Sequence, residues 1–171
     1  DGIEYGQRCL CGLVERQIME RKLEFANIPE AFKALDIRSF RLDVYRNEAG
    51  RKIIVNTCAA IKYYLDNLDG MRADGMGLYL YSGTKGSGKT RMAASIANEM
   101  VSTYRMQVKF AGSMQIINEI KATWDDKERS ESDLLRALST VQVLVIDDFG
   151  TELPKDWIGE RFYSIINGRY Q

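Results

Sequence analysis

The stretch Gly83-Thr84-Lys85-Gly86-Ser87-Gly88-Lys89-Thr90 matches the pattern G-x-x-x-x-G-K-[S/T] of a phosphate-binding loop. Residues 77–82, just before it, are mostly apolar and favour a β-strand, and residues 91–100, just after it, are rich in helix-forming side chains. The motif requires this order of strand, loop and helix. The alternative is a glycine-rich turn that ends in a lysine. That alternative does not explain why the glycines, the lysine and the threonine all occur at the spacing of the motif.

The residue types of this loop fit the binding of a nucleotide. Glycines let the backbone turn tightly and bring its N–H groups close to phosphate oxygens, and the positive end of the following helix dipole points at the same anion. Lys89 is expected to contact the β- and γ-phosphates and to act in catalysis, and the Thr90 hydroxyl is expected to ligate Mg²⁺. The predicted nucleotide-binding residues are Gly83, Thr84, Lys85, Gly86, Ser87, Gly88, Lys89, Thr90 and Arg91, although the motif gives Lys85 no role of its own.

A second chemical element lies at residues 141–148, where a run of mostly β-branched residues ends in Asp147 and Asp148. The run predicts a buried central strand, whose carboxylates would lie at the edge where open α/β sheets bind their ligands. Asp147 is the expected Mg²⁺ ligand, and Asp148 is the expected catalytic group that orients or deprotonates water. Alone, the stretch would be better explained as a strand that ends in solvated turn acids. Its position downstream of the phosphate-binding loop favours the catalytic interpretation.

The composition is that of one α/β domain with a small appendage. The 171 residues carry 24 basic and 24 acidic side chains, so no overall charge favours nucleic acid or a membrane, although a local basic groove is still allowed. No apolar run approaches the roughly 20 residues of a membrane-spanning helix, and no signal peptide is apparent. The absence of histidine excludes a histidine base and a histidine-ligated metal. The three cysteines argue against a disulfide scaffold and favour the cytoplasm.

Residues 1–29 are predicted to form an N-terminal linker and helix, and residues 30–171 the catalytic core. Cys9 and Cys11 are either two unpaired cysteines or half of a zinc site. The other cysteine pair would then lie upstream of Asp1, because a structural zinc site needs about four ligands. Residues 13–26 predict a helix with a narrow apolar stripe and dense charges. This pattern is more typical of a solvated connector or partner-binding helix than of core.

The remaining elements follow from periodicity and from chain-breaking residues. Residues 30–50 predict an irregular segment that either covers an adenine base or packs in an ordinary way. Residues 51–68 predict a helix, and turns at residues 69–70 and 74–75 lead to the strand before the phosphate-binding loop. A second strand is predicted over residues 107–111. It is followed by a helix over 114–123 with Ser113 as N-cap, a short helix over 133–139 and a final helix that opens at residues 154–156.

Two further stretches carry a resemblance to a known family. With the phosphate-binding loop, the run Val145-Ile146-Asp147-Asp148-Phe149-Gly150-Thr151-Glu152 and the run Phe162-Tyr163-Ser164-Ile165-Ile166-Asn167-Gly168-Arg169-Tyr170 resemble the DnaC/DnaI-type helicase loaders, within the AAA+ ATPases. The IstB-like transposition helpers share these motifs. The resemblance covers roughly residues 9–171. Arg8-Cys9-Leu10-Cys11, a charged helix and Asn27-Ile28-Pro29 resemble the loader version that follows a zinc-binding module, which favours a loader.

This resemblance implies an α/β fold of the P-loop NTPase class and the AAA+ type. That fold is a three-layer sandwich with a parallel central sheet, here preceded by a helical N-terminal segment. It implies an ATPase that uses ATP or ADP with Mg²⁺, binds a replicative helicase hexamer, contacts single-stranded DNA and self-associates through AAA+ interfaces. The alternatives are an ATPase helper of a transposase and a nucleotide-dependent adaptor that hydrolyses little ATP. Many AAA+ proteins have glutamate where this chain has Asp148, so slow turnover is expected.

In this family, single strands lie against the region between the second and third strands, here residues 109–136. The side chains that could combine stacking with phosphate contact are Phe110, Lys121, Trp124, Lys127, Arg129 and Arg136. An ordinary amphipathic helix with solvated charges explains the same residues equally well.

Three further AAA+ features would lie beyond Gln171: a polar sensor residue on a fourth strand, an arginine finger that acts on the neighbouring subunit, and a C-terminal sensor. The family places the fourth strand between the first and the third, so this slot in the sheet would be empty in residues 1–171. We therefore expect a longer natural protein, which could also supply a complete zinc site. We expect residues 1–171 to bind Mg²⁺ with ADP or ATP while hydrolysing ATP barely above background.

Overall fold

Two parallel strands, β1 (Val108–Gly112) and β2 (Val143–Asp147), form the sheet that carries the predicted carboxylates. They pair in register from Val108 beside Val143 to Gly112 beside Asp147. The computed structural model describes residues 13–126, 128, 130–151 and 155–170, and within these residues the sheet has two strands. A parallel pair needs a long crossover connection, and this one contains two helices.

Seven α-helices surround the sheet within the described residues. They are α1 (Leu13–Ala26), α2 (Glu48–Asp66), α3 (Leu68–Ala73), α4 (Lys89–Ser102), α5 (Ser113–Trp124), α6 (Glu131–Thr140) and α7 (Asp156–Asn167). The connection from α1 to α2, residues 27–47, contains two short 3₁₀ helices, Glu30–Phe32 and Ile37–Ser39, and is called the connecting segment below. The predicted mixture of helices with a parallel sheet is confirmed. None of the described helices combines the length and the hydropathy that spanning a bilayer requires.

The side chains of the two strands alternate between two hydrophobic clusters. One cluster joins α2, α4 and the end of α1 to the strand residues Val108, Phe110, Val143 and Val145. The other joins α5, α6 and α7 to Ala111, Leu144 and Ile146. Helices therefore cover both faces of the sheet, as is usual for parallel strands.

The strand predicted over residues 77–82 is wrong for this structure. Within the described residues this stretch pairs with neither β1 nor β2, and the side chains of Tyr79 and Tyr81 are 80% and 78% exposed. A strand is defined by hydrogen bonds to a neighbour, and β propensity does not supply that neighbour. Among the described residues, β2 also has no second neighbouring strand. This explains why β2, predicted to be a buried central strand, is only half-buried.

Three smaller expectations also change. Residues 69–70, predicted to be a turn, lie inside α3, whereas residues 74–75 form the predicted turn. Ser113 is the first residue of α5 rather than its N-cap, which is Gly112. Helix α1 has the predicted bounds, but one side of it joins the core: Ala26 is fully buried, and Met19 and Leu23 pack on the first cluster. Periodicity shows which residues share a side of a helix, but it does not show which side is covered.

Candidate functional site

The phosphate-binding loop runs directly into α4, whose first residue is Lys89. Gly88, the N-cap residue, has φ 92° and ψ 14°, and Gly86 has φ 72°. These left-handed conformations would strain a side chain, so the turn itself requires both glycines. The N–H groups of the first turn of α4 and the positive end of its dipole lie at the loop. This arrangement is well suited to a phosphate group.

The two motifs of the sequence meet through one hydrogen bond. The Thr90 hydroxyl donates to a carboxylate oxygen of Asp147 over 3.1 Å, and both groups are partly buried. Thr90 lies in the first turn of α4, and Asp147 is the last residue of β2. A hydroxyl beside a carboxylate at the mouth of the loop is a donor set that suits Mg²⁺, which prefers oxygen ligands. The roles of the two residues toward a metal stay predictions.

Asp148 occupies a left-handed conformation, with φ 53°. A residue other than glycine held there stores about 1–3 kcal/mol of strain, and such residues cluster at functional sites. Its backbone carbonyl accepts hydrogen bonds from the fully buried Ser113 hydroxyl, at 3.0 Å, and from the Thr151 hydroxyl, at 2.8 Å. These two donors hold the turn that follows β2. Sequence reasoning missed this use of Ser113. The sequence signal that could have indicated this contact was a hydroxyl residue directly after β1, the strand that pairs with β2.

The connecting segment lies against the outer side of the loop. The Tyr45 hydroxyl donates to the Ser87 carbonyl over 3.0 Å. The Arg91 guanidinium donates to the Ser39 carbonyl over 2.9 Å and lies 5.8 Å from the centre of the Phe40 ring. The side chain of Arg91, predicted to bind nucleotide, is therefore turned toward the connecting segment, and its role at a nucleotide stays a prediction.

The polar groups of the loop fit a nucleotide. The Ser87 hydroxyl oxygen is buried and, among the described residues, has no hydrogen-bond partner. An orphaned hydroxyl can donate to a phosphate oxygen. Burial raises the pKa of the Tyr45 hydroxyl, and the nearby Cys58 thiol contributes in the same direction. Tyr45 therefore stays a protonated donor at neutral pH.

The residues predicted to contact DNA separate into three groups. Phe110 is 3% exposed and belongs to the core, so the prediction that it stacks on a base is wrong. Lys127 and Arg129 lie outside the described residues. Lys121, Trp124 and Arg136 are exposed on α5 and α6.

An aromatic and charged surface lies where α5, α6 and α7 meet, and is called the α5–α7 surface. The Trp124 and Trp157 rings contact edge to face with their centres 5.1 Å apart, and the Lys121 ammonium lies 6.0 Å from the centre of the Trp157 ring. Glu131 accepts a hydrogen bond from the Trp124 indole over 2.8 Å and also pairs with Arg161. Sequence reasoning missed Trp157, because only the fold brings α7 beside α5.

The two cysteines proposed as half of a zinc site, Cys9 and Cys11, lie outside the described residues. Within the described part of the chain there is no group of three or more cysteine, histidine, aspartate and glutamate side chains that could hold a metal. The described residues therefore give no support for a zinc site.

A comparison with protein families gives a match to the IstB-like ATP binding proteins over residues 19–171. The chain belongs to this family. The Phage-like element PBSX protein XkdC of Bacillus subtilis is 27% identical over 99% of this chain and 62% of its own length. The Replicative helicase loader DnaC of Escherichia coli is 28% identical over 82% and 56%. The Replicative helicase loader DnaI of Bacillus subtilis is 36% identical over 54% and 28%.

These relatives agree with the DnaC-type resemblance read from the sequence motifs. The chain spans 62% or less of the length of each of these three relatives. Family membership therefore assigns an ATP-binding domain to this chain.

Proposed function

We propose that this chain binds ATP or ADP with Mg²⁺ at the phosphate-binding loop and hydrolyses ATP slowly. We propose further that it is the ATPase part of a protein that loads a replicative helicase onto single-stranded DNA. The Thr90–Asp147 hydrogen bond carries the first part, because it joins the two motifs that a Mg²⁺-nucleotide site needs. The names of the DnaC and DnaI relatives support the second part.

Each residue of the proposed nucleotide site is assigned its own role. The loop N–H groups and the start of α4 bind the phosphates, and Lys89 places a positive charge beside the β- and γ-phosphates. Thr90 and Asp147 would hold Mg²⁺, and the bound ion would supply positive charge against the developing charge on the phosphates. Asp148, fixed by Ser113 and Thr151, orients the attacking water or accepts its proton.

Slow turnover is supported by the positions of three arginines. Arg91 contacts Ser39 and Phe40, Arg161 pairs with Glu131, and Arg169 donates to backbone carbonyls at the end of α6. A catalytic arginine in P-loop enzymes raises the rate by roughly 10³–10⁵-fold. Because these three guanidinium groups are engaged elsewhere, none of them is placed as a catalytic arginine of the proposed site.

The DNA contact is proposed for the α5–α7 surface. An exposed indole ring near an ammonium group could combine base stacking with attraction to phosphate. Trp124 is 54% exposed, and Lys121 lies beside Trp157. The full AAA+ sandwich and self-association through its interfaces belong to the same proposal.

The family description favours one second candidate, an ATPase helper of a transposase, since the matching family is named for IstB-like proteins. The two functions differ in their partner. Immobilised protein should retain a purified hexameric replicative helicase in the presence of Mg·ATP and should not retain an IS21-type transposase. Retention of the transposase alone would favour the second candidate.

The activity itself is tested by calorimetry and by phosphate release. Mg·ADP and Mg·ATP should bind with one site per chain. Phosphate release by residues 1–171 should be barely above background, with or without single-stranded DNA or helicase. Turnover near about 1 per second, the low end of ordinary enzyme rates, would contradict the slow-turnover proposal. An absence of nucleotide binding would contradict the site itself.

A further inference from the structure

The connecting segment docks along α4 through side chains of the helix. The amide nitrogen of Asn98 donates to the carbonyls of Phe32 and Leu35 over 2.8 and 2.9 Å, and Arg91 donates to the Ser39 carbonyl over 2.9 Å. Asn98 is 8% exposed, so these carbonyls find their partner away from water. The segment is thus held at several points before it reaches the phosphate-binding loop.

At the loop, the segment contacts the backbone of Ser87 and Gly88. The Tyr45 hydroxyl donates to the Ser87 carbonyl over 3.0 Å. A Cβ atom added to Gly88 would lie 3.4 Å from the Phe40 ring and 3.6 Å from the Tyr45 hydroxyl oxygen. Both aromatic side chains therefore lie directly behind the last glycine of the loop.

The Ser87 carbonyl and the Gly88 N–H belong to the same peptide unit. In a planar trans peptide these two groups point in opposite directions, so a hydrogen bond that fixes the oxygen also fixes the direction of the N–H. Gly88 has φ 92°, and glycine populates positive and negative φ about equally. This peptide could therefore rotate unless a contact holds it. The Tyr45 bond holds it with the N–H directed away from the connecting segment.

We propose that Tyr45 is a positioning residue of the nucleotide site: it holds the Ser87–Gly88 peptide so that the Gly88 N–H faces the phosphates. The proposal rests on the proposed nucleotide binding at this loop. A loop held in its binding conformation loses less conformational freedom when the ligand arrives, so the bond increases affinity without touching the nucleotide. By linkage, a bound nucleotide stabilises the docked connecting segment in return.

The test compares Tyr45→Phe with Tyr104→Phe in the full chain. Each variant removes a tyrosine hydroxyl that donates to a backbone carbonyl, since Tyr104 donates to the Leu65 carbonyl over 2.9 Å. Tyr104 follows the C-terminal end of α4, and the 14 residues of that helix extend roughly 21 Å. The control therefore loses the same kind of bond at the end of the helix that is remote from the loop.

We expect Tyr45→Phe to weaken Mg·ADP binding by roughly 3- to 10-fold in calorimetry, the effect of losing one hydrogen bond. Tyr104→Phe should bind Mg·ADP with unchanged affinity, although both variants should unfold at a somewhat lower temperature. In the nucleotide-free protein, the Gly88 amide should give one sharp NMR resonance, and Tyr45→Phe should broaden or split it. If Tyr45 had only a structural role, the Gly88 resonance could shift in Tyr45→Phe but would stay single and sharp.

Wild-type affinity and a sharp Gly88 resonance in Tyr45→Phe would overturn the proposal, as would equal losses of affinity in the two tyrosine variants. Lys89→Ala serves as the reference for the site. If Lys89→Ala loses binding while Tyr45→Phe retains it, the nucleotide site stands and the role of Tyr45 fails. If Lys89→Ala also binds normally, the proposed site itself is wrong.

Discussion

The phosphate-binding loop and the α5–α7 surface differ in how far they expose their functional side chains. At the loop, partly buried hydrogen bonds join residues that are far apart in the chain, such as Thr90 with Asp147 and Tyr45 with Ser87. At the α5–α7 surface, Trp124 is 54% exposed and its neighbour Lys121 is exposed as well. The first region fixes polar groups, whereas the second presents the Trp124 ring to solvent beside the partly buried Trp157.

This difference indicates two kinds of ligand. A small charged ligand gains most from groups that are already oriented, because little reorganisation is needed on binding. A flexible strand gains more from accessible rings on which its bases can stack, whatever their order. The comparison therefore supports the proposals of nucleotide binding at the loop and of single-strand contact at the α5–α7 surface.

The largest effect is expected from Lys89→Ala. It removes the positive charge proposed to face the β- and γ-phosphates, and charge-assisted hydrogen bonds contribute more than neutral ones. We expect Mg·ATP affinity to fall by roughly 100-fold in calorimetry. Lys62→Ala, which removes an exposed lysine on α2, is the control and should retain affinity. Equal losses in both variants would mean that only the overall charge of the protein matters.

A smaller effect is expected from Arg169→Ala, and on stability. Arg169 follows α7, and its guanidinium donates to the carbonyls of Leu138, Ser139, Val141 and Gln142 between the end of α6 and the start of β2. Burial lowers the pKa of this guanidinium, which reflects its position under the helix end. Removing it should lower the free energy of unfolding by about 2 kcal/mol in urea denaturation, because these carbonyls lose a charged donor.

Arg136→Ala is the control for that measurement. Arg136 is exposed and pairs with Asp133 at 3.1 Å on the same helix. Exposed pairs of this kind contribute at most about 0.5 kcal/mol. If Arg136→Ala destabilised the protein as much as Arg169→Ala, the carbonyl contacts of Arg169 would not explain the loss.

The smallest effect is expected from Trp124→Ala on DNA binding. The two tryptophans of the chain, Trp124 and Trp157, both lie on the α5–α7 surface, so quenching of their fluorescence by oligo(dT) reports on this surface directly. Anisotropy of labelled oligo(dT) should show a loss of affinity of about 5-fold in Trp124→Ala, the low end for one stacked base. Tyr63→Ala, an exposed aromatic on α2, should leave binding unchanged. Unchanged oligo(dT) binding in Trp124→Ala would contradict the proposal that the α5–α7 surface contacts DNA.

The sequence predicted the parts of the site that depend on local spacing. The loop, the helix after it and the strand that ends at Asp147 follow from residue order alone, because their glycines, lysine and carboxylates have fixed spacings. Contacts across the fold were not predictable in this way. The bonds from Tyr45 to Ser87 and from Ser113 to Asp148 join residues 42 and 35 positions apart, which only the packed chain brings together.

Two of the errors have the same origin. Residues 77–82 have the composition of a strand, yet a strand needs a neighbour that composition does not reveal. The alternation of side chains along β1 places Phe110 on one face of the sheet, as a strand requires. The sequence does not show that helices cover that face. Both errors concern which surfaces are covered, and that is a property of the tertiary structure.

The division of labour between Asp147 and Asp148 is tested most directly by calorimetric titration of ATP with and without Mg²⁺ into Asp147→Asn and Asp148→Asn. Asp147 contacts Thr90, whereas Asp148 follows the strand in a left-handed conformation. We expect Asp147→Asn to lose the Mg²⁺-dependent part of the affinity, and Asp148→Asn to bind Mg·ATP normally while losing whatever hydrolysis a phosphate-release assay detects. Equal losses of Mg·ATP affinity in the two variants would contradict the account.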